Sequence, residues 1–474
     1  MTDAIKIQLL EKQVELLEKQ VTGLQALLAE RDREIAFLKA RVSELERRLG
    51  LNSSNSSKPP SSDGLRKKPA PRSLRCKGKN PSGGQKGHKG STLNQVDHPD
   101  EIVLHQLNVC PDCNCNLEAS PSEDTIKRQV FDIPPMATFV TEHQAEIKVC
   151  NHCQKRVAAE FPEDITAPAQ YGARINAMAV YLNHQQLIPE DRVQDVFDDL
   201  FDLPISTATI VNMGKKFAAK VTPYVNEVRE FLKKASVKNL DESGFRIAGN
   251  TNWLHVMSNT KATAYRTTKR RGDIETDLKG VICHDHFRPY FTIEGVVHSL
   301  CNAHILRELK ALIEHDKEPW ARKMSHLLNF VGKVSKDGVK IRRYKWRLLP
   351  LYDEIVEEGL KFHESLPPLP QQKRGKPKRR DGHNLLIRLK DHKDDVLRCI
   401  NLKTPDVPFT NNQAEQDIRM MKVKQKISGG FRTVEGAQVF ATIRSFTSTM
   451  RKQGYQLFEA ITHAVKNQPI PLPS

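Results

Sequence analysis

Stepping alternately by four and three residues from Leu10 reaches Val14, Leu17, Val21, Leu24, Leu28, Arg31, Ile35, Leu38, Val42, Leu45 and Leu49. Only Arg31 interrupts the apolar series. A 3.5-residue repeat sustained this far demands one long helix with its apolar seam along one side. Val and Ile hold one class of position (Val14, Val21, Ile35, Val42), and Leu holds the other (Leu10, Leu17, Leu24, Leu38, Leu45). That division favours a parallel two-stranded coiled coil. Residues 1–50 therefore read as a leucine zipper, and the chain as a homo-oligomer, at least a dimer. The competing use of such a seam is a long amphipathic helix packed on its own chain.

Residues 51–92 are rich in Ser, Pro, Gly and Lys and nearly free of large apolar side chains. Such a stretch buries too little surface to fold alone, so 51–100 reads as a basic flexible linker able to order on DNA. The whole chain points the same way, with 74 Lys and Arg against 57 Asp and Glu, a net charge of +17. An excess of that size suits a polyanionic partner, and nucleic acid is the first candidate. No apolar run approaches the roughly 18 residues of a membrane-spanning helix, and no signal peptide is expected. At 474 residues the chain has room for several domains.

Nine cysteines in so long a chain do not form a disulfide scaffold. Four of them stand as Cys110-x-x-Cys113 and Cys150-x-x-Cys153, bracketing β-like alternation at Val130, Phe131, Ile133, Phe139, Val140, Ile147 and Val149. Two such turns separated by a short sheet supply four thiolates for one tetrahedral structural Zn²⁺. Residues 101–160 are thus predicted to be a zinc-binding ribbon with an inserted hairpin, with Cys115 and His152 as spare ligands. Residues 161–235 read as helices. A turn at Leu203-Pro204 and a capping Ser206 suggest a helix-turn-helix, a pairing that also serves as plain scaffold.

From residue 236 the pattern changes to strands. "SVKNLDESGFRIAG", "NWLHVMSN" and "TAYRTTKRRG" read as an antiparallel meander, followed by a crossover to "VICHDHF". Asp241 lies in the first strand and Asp285 at the end of the fourth. If those strands are neighbours, the two carboxylates converge, and converging carboxylates repel unless cations bind them. Two Mg²⁺ ions would relieve that repulsion and activate a water or 3′-hydroxyl for attack at phosphorus. A third carboxylate could come from the helix that opens at "TNNQAEQDIRMMKVKQKISGG", residues 410–430.

These segments resemble the transposases of the insertion-sequence-sixty-six family. "NSSKPPSSDG" and "GGQKGHKGST" look like that family's linker signatures. "LDESGFRI", "HDHFRPY", "SLCNAHILRELKAL" and "TNNQAEQDIRMMKVKQKISGGFRT" are similar to the segments around its Asp-Asp-Glu site. The resemblance implies a ribonuclease-H-like α/β catalytic domain over 236–455, with Asp241, Asp285 and Glu415 as ligands of Mg²⁺ or Mn²⁺. It implies DNA cleavage and strand transfer at the terminal inverted repeats of a bacterial insertion sequence. Companion proteins of the same element and a cytoplasmic, nucleoid-associated location follow from it too. His286 departs from the pattern, since a small residue is expected after the second aspartate.

The predicted architecture is multidomain α+β: coiled coil, zinc ribbon, helical domain and ribonuclease-H-like domain. The last carries a helical insertion at about 303–405, broken by the basic stretch 367–382, and ends in a tail at 456–474. On the glutamate helix, Glu415, Arg419, Lys422 and Lys426 fall within about 60° of each other, so the three cations are candidate DNA contacts. Asp417 points away and should cap the helix or meet an Arg. Glu242 should face the other side of the sheet from Asp241. His304 either touches DNA at the edge of the site or packs inside, and Cys301 is expected in the core. Asn411 and Asn412 either cap the helix or contact DNA. Two other functions fit the same residues: a zipper-dimerised DNA-binding regulator with an inactive fold, and a nuclease that hydrolyses without joining.

Overall fold

The computed structural model describes residues 3–51, 55, 93–133, 136–366, 369, 379–403 and 406–473. Most of the linker signatures and the basic stretch at 367–382 lie outside them. The heptad segment forms one helix, α1 (Asp3–Gly50). Its seam faces solvent, with Val21 51%, Leu28 63% and Leu38 52% exposed.

By contacts the chain divides into two units, 70–159 with 196–204, and the remainder. The smaller contains strands β1 (Ile147–Val149) and β2 (Arg156–Ala158), paired antiparallel. Among the described residues no strand forms around Val130 or Phe139. Val130 is 91% and Phe139 90% exposed, and without a partner face to cover them their β propensity has nothing to act on.

The larger unit continues through α2 (Ala173–Val180), a π-helical turn at Tyr181–Gln185, and α4 (Thr207–Lys234); α3 (Glu190–Phe201) lies between them in sequence. The Ser206 hydroxyl accepts the Thr209 N–H at 3.1 Å and so caps α4 as its sequence suggests. Next come β3 (Val237–Ile247), β4 (Asn250–Ser258), β5 (Thr263–Thr268), β6 (Gly280–His284) and β7 (Val296–Leu300). They form one sheet in the order β5-β4-β3-β6-β7, with the β3–β4–β5 meander antiparallel and β6 and β7 added in parallel. The first and fourth strands of this sheet are therefore neighbours.

Helices α5 (Asn302–Ala311), α6 (Pro319–Val334), α7 (Gly338–Ser365), α8 (Asp381–Asp391) and α9 (Lys393–Val396) follow. They bury a core around Trp320, Met324, Leu328, Tyr352 and Leu386. The chain then returns to the sheet as α10 (Asn412–Ser428) and α11 (Val434–Lys452), and ends its regular structure in α12 (Leu457–Val465).

Alternate strand residues face opposite layers. Leu240, Met257 and Ile282 pack on Val228 and Leu232 of α4. Phe245, Ile247, Leu254 and Val256 pack on Ala414, Ile418 and Met421 of α10 and on Phe440 of α11. The other half of α4 joins α2, α11 and α12 in a further core through Phe217, Val221, Phe446 and Ile461. Two expected boundaries therefore fall inside packed structure. The helices before 235 share cores with the sheet layer, and 456–474 contributes a buried helix instead of a loose tail. Their apolar residues found partners too distant in sequence to be seen from local pattern.

Gly280, at the start of β6, has φ +77°, and an added Cβ would lie 2.6 Å from the Ser236 carbonyl oxygen. That same oxygen accepts the Val281 N–H at 2.8 Å where the parallel pairing begins. Gly280→Ala should lower stability by about 2 kcal/mol or more, from the left-handed backbone and the clash together. A chemical denaturation midpoint unchanged from wild type would refute this.

Candidate functional site

The parallel register pairs Val237 with Val281 and Asn239 with Cys283. Extended by two residues, it sets Asp285, just past β6, level with Asp241 in β3. Both carboxyls are pushed above the usual carboxylate range, Asp285 chiefly by burial. For Asp241 the shift is larger: burial comes first, then the negative charges of Glu242, Asp285 and Glu415. Backbone amides oppose the shift, with Asp241 Oδ1 accepting the Glu242 N–H and Asp285 Oδ1 the Phe287 N–H, each at 2.9 Å.

Glu415 occupies the first turn of α10. Two features aim it at the strand end. Ala414, Ile418 and Met421 clamp the helix to the sheet. Asn411 then fixes its N-terminus: its Nδ2 donates to the Leu240 carbonyl at 2.7 Å, and its Oδ1 accepts from Asn239 Nδ2 at 2.8 Å. Asn411 thus stands at the N-cap of α10, but its side chain makes no capping bond; it is buried and ties the helix to β3, while Asn412 is exposed.

Glu415 makes no ion pair with Arg419 among the described contacts. Its Oε1 lies 3.7 Å from His304 Nδ1, 3.9 Å from an Arg307 guanidinium nitrogen and 3.8 Å from Cys301 Sγ. Burial pushes the Cys301 thiol up to about 12 and holds the His304 imidazole down at about 3, hence neutral. Cys301 sits in the core as expected, yet its sulfur also accepts the Asn411 N–H at 3.1 Å. The donor atoms of Cys301, His304 and Glu415 all lie within 4.8 Å of one another, a grouping that Asp241, Asp285 and Glu415 do not reach as a set.

Of the three helix cations, Arg419 and Lys426 are exposed. Lys422 is turned inward instead. Its Nζ donates to the Gly244 carbonyl at 2.7 Å, and burial lowers its pKa. Asp417 pairs at 2.8 Å with Lys452 of α11, not with an arginine. It also accepts from the Thr263 hydroxyl at 3.3 Å and so stays away from the site.

Glu242 lies on the face opposite Asp241 with its side chain fully buried. Its Oε1 accepts from Arg271 Nε at 2.9 Å and from a terminal guanidinium nitrogen at 2.7 Å, and its Oε2 from the Tyr290 hydroxyl at 2.6 Å. Arg271 lies 4.0 Å from the Phe287 ring centroid, and its charge lowers the Asp285 pKa. Sequence reading missed this cluster. The one signal, "KRRGD" after the third strand of the sheet, looks like any exposed turn. A cleft of about 250 Å³ opens beside it, lined by Arg271, Asp285, Cys301, His304, Glu308 and Arg388 among others. His286 packs its ring 5.1 Å from Phe291 and 5.0 Å from His392, well accommodated despite its size.

In the smaller unit the two Cys-x-x-Cys turns are built alike. The Cys110 carbonyl accepts from Asn114 N and the Cys150 carbonyl from Gln154 N; Cys110 N donates to Cys115 O and Cys150 N to Lys155 O. Asn114 and Gln154 both take the left-handed backbone, at φ 57° and 53°. Hydrogen bonds within each turn draw the Cys113 and Cys150 thiols below their ordinary pKa, which favours thiolate. The four sulfurs are not drawn within 4.8 Å as one set.

The family model described as "Transposase IS66 family" matches residues 168–439, more than half of the chain and all of the sheet. The chain belongs to the IS66 transposase family. The "zinc-finger binding domain of transposase IS66" matches residues 108–154 of this transposase, spanning both cysteine turns. A family of unknown function (DUF6444) matches residues 5–94. "Uncharacterized protein y4jO" of Sinorhizobium fredii (strain NBRC 101917 / NGR234) is 36% identical over 74 residues, 16% of this chain and 22% of the relative. The chain thus aligns with about a fifth of the curated relative it matches. No helix among the described residues is long and apolar enough to cross a membrane.

Proposed function

We infer that this transposase cuts DNA at the ends of its insertion sequence and joins the freed 3′ ends to target DNA, through Asp241, Asp285 and Glu415. The observation that carries this reading is the parallel register that sets Asp241 level with Asp285, together with the Asn411 bonds to β3 that bring the first turn of α10, and with it Glu415, to the same strand. Buried carboxylates that also repel one another are what a divalent cation relieves, so the donor set fits Mg²⁺ or Mn²⁺. When bound, such ions supply Lewis-acid stabilisation of the scissile phosphate and a more acidic nucleophile.

The chain's own residues do the rest. The strand order β5-β4-β3-β6-β7, with helices on both faces, supports reading this unit as a ribonuclease-H-like domain. It brings the strand carboxylates to one sheet end, where Arg419 and Lys426 are free to follow the phosphates while Lys422 anchors the helix. His304 lines the cleft and meets the DNA at the edge of the site. Cys110, Cys113, Cys150 and Cys153 would close on one Zn²⁺ as a structural centre for end recognition, aided by the basic linker. The exposed seam of α1 pairs two protomers, matching the two ends that must be joined. Companion proteins of the element and the nucleoid complete its surroundings in a bacterial cytoplasm.

The test is an end-bearing duplex incubated with Mg²⁺, followed by pre-cut ends offered a target. Wild type should nick and join, and Glu415→Gln should lose both by about 10³-fold or more. Hydrolysis without joined product would make the chain a nuclease. Binding without cleavage would make it a regulator.

A further inference from the structure

His304 Nδ1 is buried and has no hydrogen-bond partner. A buried polar atom left so is costly and calls for a ligand. It faces Glu415 Oε1 at 3.7 Å, and Cys301 Sγ lies 3.8 Å from the same oxygen. We propose that Cys301, His304 and Glu415 form a binding site for a soft divalent cation of the Zn²⁺ class, separate from the cysteine turns.

The distances are close to those such an ion needs. Tetrahedral zinc with ordinary bond lengths sets sulfur and oxygen ligands about 3.5 Å apart and nitrogen and oxygen about 3.3 Å apart. The two pairs that include Glu415 therefore need movements of only a few tenths of an ångström, and the sulfur and the imidazole nitrogen already lie within 4.8 Å of each other. The donor types select the ion, because a sulfur ligand excludes Mg²⁺ and suits Zn²⁺, Co²⁺ or Cd²⁺. The Asn411 N–H aimed at the sulfur at 3.1 Å stabilises it as thiolate once its proton leaves to solvent. The fourth position opens toward the cleft that Cys301 and His304 line. Arg307, the cation now 3.9 Å from Glu415, is 27% exposed and has solvent to swing into.

A carboxylate engaged there is withdrawn from Asp241 and Asp285. Zinc at this site would therefore silence the transposase, a consequence that rests on the function proposed above. The binding itself does not rest on it.

Full-length protein dialysed against micromolar Zn²⁺ and assayed for metal by elemental mass spectrometry gives the test. Cys301→Ser and His304→Gln should each hold about one zinc fewer per chain than wild type. A Cys110→Ser/Cys113→Ser variant should lose only the ribbon's zinc and keep this one. Zinc content equal to wild type in both Cys301→Ser and His304→Gln overturns the proposal. Should one of them fail to give a cooperative melt, the other decides. The count needs no DNA and no cleavage, so a failed nicking assay leaves it standing, and the reverse.

Discussion

Asp241→Asn should abolish Mg²⁺-dependent cleavage while making the metal-free protein more stable. The loss should be at least about 10³-fold, some 4 kcal/mol of transition-state stabilisation. The gain follows from the raised pKa of Asp241 beside Glu242, Asp285 and Glu415. Replacing that buried acid by a neutral amide should contribute about 1 kcal/mol or more at neutral pH, a rise of about 1–2 °C in melting midpoint for a unit of this size. The pH dependence has a definite sign. Asp241, Asp285 and Glu242 all hold their protons more tightly folded than unfolded. The stability they contribute is complete below their unfolded values near pH 4 and is lost as pH rises through the raised folded values. Metal-free wild type should therefore soften from mildly acid to neutral pH, Mg²⁺ should reverse this, and Asp241→Asn should flatten the slope. A melt that strengthens toward neutral pH without metal would contradict the account.

Arg271→Ala should be the most destabilising single change at the site that touches none of the three candidate ligands. It leaves Glu242 with its side chain 0% exposed and without its counter-charge, next to two further carboxylates. Breaking a fully buried pair costs about 3–5 kcal/mol. Because Arg271 is itself 43% exposed, about 2–3 kcal/mol is the better expectation. Adding Glu242→Gln should recover much of the loss, since the amide keeps the Tyr290 hydrogen bond without the charge. Denaturation midpoints of the two single variants and the double variant form the cycle. Additive losses would mean that the pair is not coupled.

Features with a local period were legible from sequence. The heptads of α1, the two cysteine turns, the Ser206 cap and the strand–crossover–strand order each repeat or punctuate over a few residues. The neighbouring of β3 and β6 stood only as a condition in the sequence, because a meander and a crossover do not say which sheet edge the fourth strand joins. What stayed hidden were contacts between distant side chains. Nothing near Glu242 announces Arg271, and nothing near Asp417 distinguishes Lys452 from an arginine. Lys422 looks like its neighbours Arg419 and Lys426 until the Gly244 carbonyl is placed beneath it. Asn411 and α12 stayed hidden for the same reason, because their partners, β3 for the one and α2, α4 and α11 for the other, are distant in sequence.

The insertion between β7 and α10 sets an order in time. Glu415 is synthesised about 130 residues after Asp285, and α11, which packs beside its helix on the sheet, comes later still. A chain emerging from the ribosome holds two acidic groups for several seconds before the third exists. The acidic set proposed for cutting is thereby incomplete until the protein is nearly whole, and a truncated product carries α1 and the cysteine turns without it.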